Sequence, residues 1–329
     1  MNILVTGGAG YIGSHAVKRL HADGHDVVAL DNLYRGHQPA VPDNVTLAEL
    51  DLRDTDGIET LLKDRQIDCV MNFAALAYVG ESVTEPLEYY ANNTAGVLSL
   101  MTAMDRAGVR RMVHSSTCAT YGEPETVPIT EDTPQSPINP YGWSKLFVER
   151  MLIDYANANP DFAFAALRYF NVAGSARDGS IGEDHTPETH LIPVMLLTAL
   201  GQREKMTIFG TDYDTPDGTC IRDYIHVEDL IDAHATVMDA LDPGDQRFYN
   251  LGIGNGLSVK QLIDAAKKVT GIDFKVDTGD RRPGDPPMLY ADASKIEREL
   301  GWKAAITDVH DMIESAWNWF KDHTHGYPK

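Results

Sequence analysis

The chain has 329 residues, of which 43% are hydrophobic and 23% charged, a composition typical of a folded globular protein rather than of a disordered one. Its 28 lysines and arginines against 49 aspartates and glutamates give a net charge of −21. A field of that sign repels nucleic acid and anionic membranes, so we expect neither as a partner.

The first 170 or so residues alternate short apolar runs with helix-like segments. Strands are predicted at Met1–Thr6, Asp26–Leu30, Val45–Leu52, Asp68–Ala75, Arg111–Ser116 and Phe162–Tyr169, with helices at Ile12–Ala22, Asp56–Lys63, Pro86–Ala107 and Tyr141–Asn157 between them. Near-continuous apolar strands alternating with helices are the signature of a parallel sheet covered on both faces. The sequence therefore predicts an α/β fold with a doubly wound, Rossmann-type parallel sheet.

After about residue 171 the pattern changes, because glycine, proline, aspartate and threonine cluster through Gly174–Pro187 and Gly210–Gly218. Helices are predicted at Leu191–Leu200, Val227–Leu241, Ser258–Val269 and Ala293–Leu300, and strands at Met206–Phe209, Arg247–Leu251 and Phe274–Val276. We predict a dinucleotide-binding domain at 1–172, to which segments within about 220–252 return, and a smaller α/β substrate domain at 173–329.

The cysteines Cys69, Cys118 and Cys220 show no CxxC or metal-type spacing. This indicates a reducing compartment and no metal site. The first residues, MNILVTGG, already form a predicted strand and turn, and no apolar stretch approaches the length of a membrane span. We therefore expect a cytoplasmic protein.

A glycine-rich segment, TGGAGYIGS, follows the first predicted strand directly and precedes an amphipathic helix. Glycine permits the tight turn and the close approach of a pyrophosphate, and the helix start offers amide groups to the phosphates. A glycine motif can also be only a turn, but this strand–loop–helix context favours a dinucleotide. The loop residues of the predicted cofactor site are Gly7, Gly10, Tyr11, Ile12 and Gly13.

Asp31 ends the second predicted strand. A carboxylate there accepts hydrogen bonds from both ribose hydroxyls of adenosine and repels a 2′-phosphate, so NAD is favoured over NADP. The nearby Arg35 weakens that preference. Capping of a helix in the following DNLYRG loop is the competing role for Asp31.

Tyr141 and Lys145 lie four residues apart in YGWSK, on one face of a helix predicted to begin after Pro140. A nearby ammonium group favours the phenolate and makes tyrosine a usable base. A Tyr/Lys pair alone is common on helix surfaces. Here VHSSTCATYG also puts Ser115 and Thr117 at the carboxyl end of the fifth strand, the edge where open α/β sheets bind ligands.

Longer motifs carry a more specific resemblance: FAALAYVGESVTEPLEYYANN (Phe73–Asn93), LRYFNVAG (Leu167–Gly174), DGTCIRDYIHVEDL (Asp217–Leu230) and RRPGD (Arg281–Asp285). With them, the chain resembles the UDP-glucose 4-epimerases of the extended short-chain dehydrogenase/reductase family from Met1 to the C-terminal GYPK. The resemblance implies reversible, NAD-dependent inversion of carbon 4 of a UDP-hexose through a 4-keto intermediate.

The resemblance also implies site residues. Tyr141 is the base, Lys145 holds the nicotinamide ribose and tunes that base, and Thr117 assists the proton transfer. Beside the glycine loop, the cofactor site comprises Asp31, Asn32, Asp51, Leu52, Phe73, Ala74, Asn92, Ser115 and Tyr169, with Tyr141 and Lys145. The substrate site comprises Thr117, Tyr141, Asn171, His190, Leu191, Phe209, Arg222, Tyr224, Arg282 and Asp285.

Independent chemistry agrees, because a diphosphate requires arginines. Arg222 and Arg282 stand in predicted loops, although a surface ion pair is the alternative for each. The chain departs from the family where Ala77 replaces a frequent lysine, where Thr117 replaces serine, and where His190 occupies a slot often filled by asparagine. His190 either donates a hydrogen bond to a phosphate of the substrate or is only a polar residue that precedes a helix.

Two alternatives within the fold concern the substrate and the reaction. Leu289 aligns with a pocket position that an aromatic residue narrows in some relatives and where a small residue admits N-acetyl sugars in others. We expect leucine to allow some activity on UDP-N-acetylglucosamine, so a UDP-N-acetylhexosamine preference is one alternative. A nucleotide-sugar dehydratase or decarboxylase is the other, but dehydration typically uses an Asp-Glu pair after the strand-end threonine, where this chain has Cys118 and Ala119. A redox-sensing NAD-binding regulator without catalytic turnover is a third alternative. Such a protein does not require Thr117, Tyr141 and Lys145 together.

The helices predicted at Pro86–Ala107 and Tyr141–Asn157 are apolar on more than one face, with Leu98, Met101, Phe147, Met151 and Tyr155. Apolar residues beyond a single stripe predict a second packing surface. We therefore expect a homodimer through these helices, with core burial as the alternative.

Overall fold

A computed structural model describes residues 1–282 and 286–328. The strands are β1 (Asn2–Thr6), β2 (Asp26–Asp31), β3 (Thr46–Glu49), β4 (Cys69–Asn72), β5 (Arg111–Thr117), β6 (Ala163–Tyr169), β7 (Asn171–Ala173), β8 (Met206–Phe209), β9 (Ile221–Arg222), β10 (Tyr224–His226), β11 (Gln246–Leu251), β12 (Leu257–Ser258), β13 (Val276–Gly279) and β14 (Met288–Leu289). The α-helices are α1 (Tyr11–Ala22), α2 (Thr55–Asp64), α3 (Val79–Thr84), α4 (Pro86–Tyr89), α5 (Gly96–Ala107), α6 (Pro140–Ala158), α7 (Leu191–Ala199), α8 (Val227–Asp239), α9 (Val259–Thr270), α10 (Ser294–Leu300) and α11 (Val309–Asp322).

Seven strands form one parallel sheet in the order β11-β6-β5-β4-β1-β2-β3. The order reverses between β1 and β4, which creates a crevice at the carboxyl ends of those strands, and ligands bind at such switch points. The predicted doubly wound Rossmann-type fold is confirmed.

Helices cover both faces of this sheet, so its strands are buried on both sides. On one face α1 and α8 contribute side chains such as Leu20 and Leu230 to a core that includes Val5. On the other face α2, α5 and α6 pack residues such as Leu62 and Leu152 against the strands. This double covering explains why the strand sequences are apolar runs rather than alternating patterns.

The second half of the chain builds a separate core from α7, α9 and α11. The small sheets of this half pair β8 with β13, β9 with β12 and β14, and β7 with β10. Strand β11 joins the large sheet, as the sequence indicated for the segment around 220–252. The division at residues 172 and 173 stays a prediction.

Several elements differ from the sequence expectations. The helix predicted over Pro86–Ala107 consists of α4, a π-helical turn at Tyr90–Ala95, and α5. Within that turn the Asn93 side chain accepts from the amide of Leu76 (2.8 Å) and donates to its carbonyl oxygen (2.9 Å), a tertiary contact that local propensity does not encode. The strand expected at Phe274–Val276 runs over Val276–Gly279, and α11 was missed.

The described helices were also compared with the requirements for crossing a bilayer. None of them combines sufficient length with sufficient hydropathy for a transmembrane span.

Candidate active site

The carboxyl edge of the large sheet gathers the residues predicted to bind the cofactor. They lie at or near the ends of six consecutive parallel strands, β1 to β6, except Asn92, which lies in the π-helical turn, and Tyr141 and Lys145, which lie on α6. In chain order they are Gly7, Gly10, Tyr11, Ile12, Gly13, Asp31, Asn32, Asp51, Leu52, Phe73, Ala74, Ser115 and Tyr169. Because the strands are parallel, segments far apart in sequence meet at one edge.

The glycine loop has no room for side chains at two positions. Gly7 adopts φ +68°, and a Cβ there would lie 2.7 Å from the backbone nitrogen of Ala74. A Cβ on Gly13 would overlap the carbonyl oxygen of Gly7. The loop therefore keeps its backbone open at the start of α1, the geometry that a pyrophosphate requires.

Asp31 is buried where β2 leaves the sheet. Its carboxylate accepts hydrogen bonds from the amide of Ala9 (3.0 Å) and from that of Leu33 (2.9 Å). Burial raises its pKa, while these amide groups act in the opposite direction. No α-helix starts in the following loop, so the helix-cap alternative is wrong. Arg35 pairs with Glu81 at 2.6 Å.

Tyr141 lies in the first turn of α6, which begins at Pro140 as predicted. Asn139 caps the helix by accepting from the amide of Gly142 (2.8 Å). Burial raises the pKa of Tyr141, and the neighbouring Tyr169 raises it further, while a hydrogen bond with Thr117 lowers it. Thr117, the strand-end residue expected to assist Tyr141, thus lowers the pKa of this tyrosine.

Lys145 lies one turn further along α6 and is 2% exposed. Its ammonium group donates to the carbonyl oxygen of Ser115 (2.8 Å), which leaves two N–H donors for a ligand as far as the described residues show. Burial lowers its pKa to about 7, and Glu149 raises it. The hydroxyl groups of Ser115 and Tyr169 form a short hydrogen bond beside it.

A buried ion pair behind Lys145 was not predicted from the sequence. Arg168 donates to both carboxylate oxygens of Glu149, at 2.9 and 2.7 Å, and the two side chains are 6% and 1% exposed. Glu149 lies one turn after Lys145 on α6, and Arg168 lies on β6. A glutamate four residues after the lysine was the only sequence signal, and it is common on helix surfaces.

The residues predicted to bind substrate approach one another in pairs. Tyr224 of β10 is in register with Asn171 of β7. The Arg282 guanidinium group lies over the Phe209 ring, 4.3 Å from its centroid. Arg222 is in register with Leu289. Arg222 thus lies in the short strand β9 and not in the loop expected for it. Asp285 lies outside the described residues.

Asp223, another residue that the sequence analysis missed, anchors this region. Its buried carboxylate accepts from the amides of Ile253 (2.9 Å), Gly254 (3.1 Å) and Ala291 (3.0 Å). Burial raises its pKa to about 6. Because it lies between Arg222 and Tyr224, it fixes the backbone that presents both.

His190 precedes α7, and Leu191 is the first residue of that helix. The Nδ1 atom of His190 lies 2.9 Å from a carboxylate oxygen of Glu188 and 3.0 Å from one of Glu183. These carboxylates raise the pKa of His190 to about 10 against the effect of burial. Its predicted contact with a phosphate stays a prediction.

Fold and site together define a dinucleotide-dependent enzyme with a Tyr/Lys pair, and the comparisons identify the class. The model of the NAD dependent epimerase/dehydratase family matches residues 3–252. The chain therefore belongs to that family. This membership confirms the cofactor prediction, NAD.

Similar proteins are more specific. The chain is 50% identical over 328 residues to a UDP-glucose 4-epimerase of Lactobacillus helveticus, with 99% of each chain covered. A crystal structure of a UDP-glucose 4-epimerase matches with a TM-score of 0.97, 48% identity and complete coverage of both chains. The enzyme of Bifidobacterium longum in complex with NAD+ and UDP matches with a TM-score of 0.95, 41% identity, and 99% and 100% coverage. The resemblance stated from the sequence motifs is confirmed.

Proposed function

We propose that the chain is an NAD-dependent 4-epimerase of UDP-hexoses that interconverts UDP-galactose and UDP-glucose. The observation that carries the proposal is the hydrogen bond from the buried ammonium group of Lys145 to the carbonyl oxygen of Ser115 (2.8 Å), which joins the α6 turn that carries Tyr141 to the strand end that carries Thr117. Full-length similarity to enzymes of that name supports it. The bound structure from Bifidobacterium longum supports UDP as the nucleotide part of the substrate.

The glycine loop and Asp31 fit NAD, since the open backbone at Gly7 and Gly13 leaves space for a pyrophosphate. Bound NAD supplies the hydride acceptor and donor at carbon 4. Lys145 binds the nicotinamide ribose with its remaining donors and stabilises the phenolate of Tyr141. Burial raises the already high pKa of this tyrosine, so the proposed base requires a positive charge such as the ammonium group of Lys145, one helical turn away.

Tyr141 as phenolate removes the proton of the 4-hydroxyl group, and Thr117 orients that hydroxyl group. The resulting 4-keto sugar turns about its bond to the diphosphate and presents its other face. With the hydride that bound NAD would supply to that face of carbon 4, Tyr141 returns the proton to the same oxygen, and the centre is inverted. Firm binding of the nucleotide with loose binding of the hexose follows from this rotation.

The nucleotide is bound, in this proposal, by residues of the second half. Arg222 and Arg282 neutralise the diphosphate, and Phe209 and Leu191 flank the uracil. The contact between Arg282 and Phe209 supports this arrangement, since it puts a cation and an apolar ring side by side. Asn171 and Tyr224, in register on neighbouring strands, complete the set.

Two finer statements belong to the proposal. We propose a homodimer through α5 and α6, since Leu98, Trp143 and Phe147 expose 53%, 39% and 42% of their surface. Met101 is buried, so part of the apolar excess noted in the sequence serves the core. We also propose a cytoplasmic location, which the free cysteines Cys69 and Cys118 support.

The test is incubation of the chain with UDP-galactose, without added cofactor, and quantification of UDP-glucose. We expect conversion by the unmodified chain and a loss of at least about 100-fold for Tyr141→Phe, which removes the base. Bound NAD in the variant, measured after denaturation, controls for folding. Full activity of Tyr141→Phe would contradict the proposed base, and turnover of UDP-N-acetylglucosamine alone would favour the N-acetylhexosamine alternative.

A further inference from the structure

Four side chains in the loop between β7 and α7 converge on one point, and we call them the His–Glu cluster. They are Glu183, His185, Glu188 and His190. Their ligand atoms all lie within 4.8 Å of one another. The mechanism above uses none of the three residues Glu183, His185 and Glu188.

The separations within the His–Glu cluster match those of a metal coordination sphere. Nδ1 of His185 lies 3.0 Å from Glu183 and 3.6 Å from Glu188, and Nδ1 of His190 lies 3.0 and 2.9 Å from the same two residues. In a tetrahedral zinc site with bonds of 2.0–2.1 Å, neighbouring ligand atoms are about 3.3 Å apart. A zinc ion at the centre therefore requires ligand atoms that lie within 4.8 Å of one another to draw together to this spacing.

Burial makes a cation favourable here. The side chains of Glu183 and Glu188 are only 7% and 6% exposed, and two buried carboxylates require positive charge nearby, which either protonated His185 and His190 or a metal cation supplies. Two carboxylates, two neutral imidazoles and one divalent cation sum to zero charge. Imidazole nitrogen favours zinc over magnesium or calcium, which prefer oxygen ligands alone.

A second observation points to a ligand at the same place. The hydroxyl group of Tyr78 is buried and has no hydrogen-bond partner within the described part of the chain. The Tyr78 ring contacts both imidazoles edge-on, each at 5.8 Å between centroids.

Residues outside the His–Glu cluster donate hydrogen bonds to the backbone that carries it. The indole nitrogen of Trp319 on α11 donates to the carbonyl oxygen of Glu183 (3.3 Å), and Arg203 donates to that of Glu188 (2.7 Å). The ring of His185 packs edge-on against Tyr11 at the start of α1. Such preorganisation lowers the cost of assembling a metal site.

We propose that the His–Glu cluster binds one zinc ion through the Nδ1 atoms of His185 and His190 and one carboxylate oxygen each of Glu183 and Glu188. The ion fixes the loop before α7 against the helix that follows the glycine loop. This proposal departs from the expectation of no metal site, which considered cysteine spacing alone. Zinc on Nδ1 leaves the Nε2 proton of His190 free to be donated, so its predicted phosphate contact is compatible.

The test uses the full chain without an affinity tag, dialysed against a chelator and then titrated with zinc or cobalt(II). We expect about one zinc per chain and the visible absorption bands of tetrahedral cobalt. His185→Ala and Glu188→Gln each remove one ligand and should weaken zinc binding at least about 100-fold. The melting temperature of the unmodified chain should rise by a few degrees with zinc.

The matched control is His310→Ala. His310 also lies close to a carboxylate, 2.9 Å from Asp308, but on the surface and without further ligands. This variant should keep the full zinc content. Zinc below about 0.1 per chain, or an affinity that His185→Ala leaves unchanged, would overturn the proposal in favour of imidazolium–carboxylate ion pairs. Should His185→Ala not fold, absence of tetrahedral cobalt bands in the unmodified chain overturns it equally.

Discussion

The buried pair of Glu149 and Arg168 gives the sharpest prediction about stability. Four donors fill the Glu149 carboxylate: two N–H groups of Arg168 (2.9 and 2.7 Å), the hydroxyl group of Ser116 (2.5 Å) and the amide of Gln135 (3.0 Å). A carboxylate has about four lone-pair sites, so each is used. Glu149→Gln removes the negative charge of this side chain and replaces one accepting oxygen by an NH2 group, which then faces hydrogen-bond donors instead of accepting from them.

The magnitude follows from burial. Because the two side chains are 1% and 6% exposed, water cannot screen the Arg168 charge that remains, and breaking such a pair costs about 3–5 kcal/mol. With an unfolding entropy of about 2.1 cal/mol/K per residue, a loss of 4 kcal/mol lowers the melting temperature by about 6 °C for 329 residues. Urea unfolding followed by fluorescence measures the free energy.

The control is Asp154→Asn on the same helix. Asp154 pairs with Arg150 at 2.8 Å, but the two side chains are 56% and 69% exposed, so the loss should stay below about 1 kcal/mol. Equal costs for Glu149→Gln and Asp154→Asn would refute the reasoning from burial.

A kinetic readout accompanies the stability change. Glu149 raises the pKa of Lys145, which burial lowers to about 7. Without this carboxylate the ammonium group loses its proton at a lower pH. The falling limb of the pH–rate profile on the alkaline side should therefore move to lower pH, and an unmoved limb would exclude the coupling.

Two further predictions concern the cofactor and the dimer. Gly13→Ala should reduce NAD content at least about tenfold, because the added Cβ overlaps the Gly7 carbonyl group. In the control Gly80→Ala the added Cβ has no atom within 4 Å, so the NAD content should stay unchanged. NAD is measured by absorbance after denaturation, and equal contents in the two variants would contradict the crowding argument. Phe147→Glu on α6 should shift sedimentation at micromolar concentration toward a monomer, and Ile272→Glu, an equally exposed apolar site elsewhere, should not. A monomeric unmodified chain would end the dimer proposal.

The sequence by itself determined the strand–helix alternation, the glycine loop and the start of α6. These features depend on local signals, namely apolar runs, glycine spacing and a proline in the first turn of a helix, which act over fewer than about ten residues. The strands β6 and β8 accordingly lie within one residue of their predicted bounds. The grouping of the predicted cofactor-site residues at one edge follows from the predicted parallel strands, whose ends meet there, while most of these residues were assigned from the family resemblance.

Only the tertiary structure decided which polar residues meet inside the protein. Glu149 and Arg168 are 19 residues apart on a helix and a strand, and their pairing depends on how α6 packs on β6. The spacing of Glu183, His185, Glu188 and His190 was visible in the sequence, but it lies in a loop, where no helical or strand period fixes side-chain direction. Their convergence required the packing of that loop between α11 and α1, because burial and charge act through space rather than along the chain.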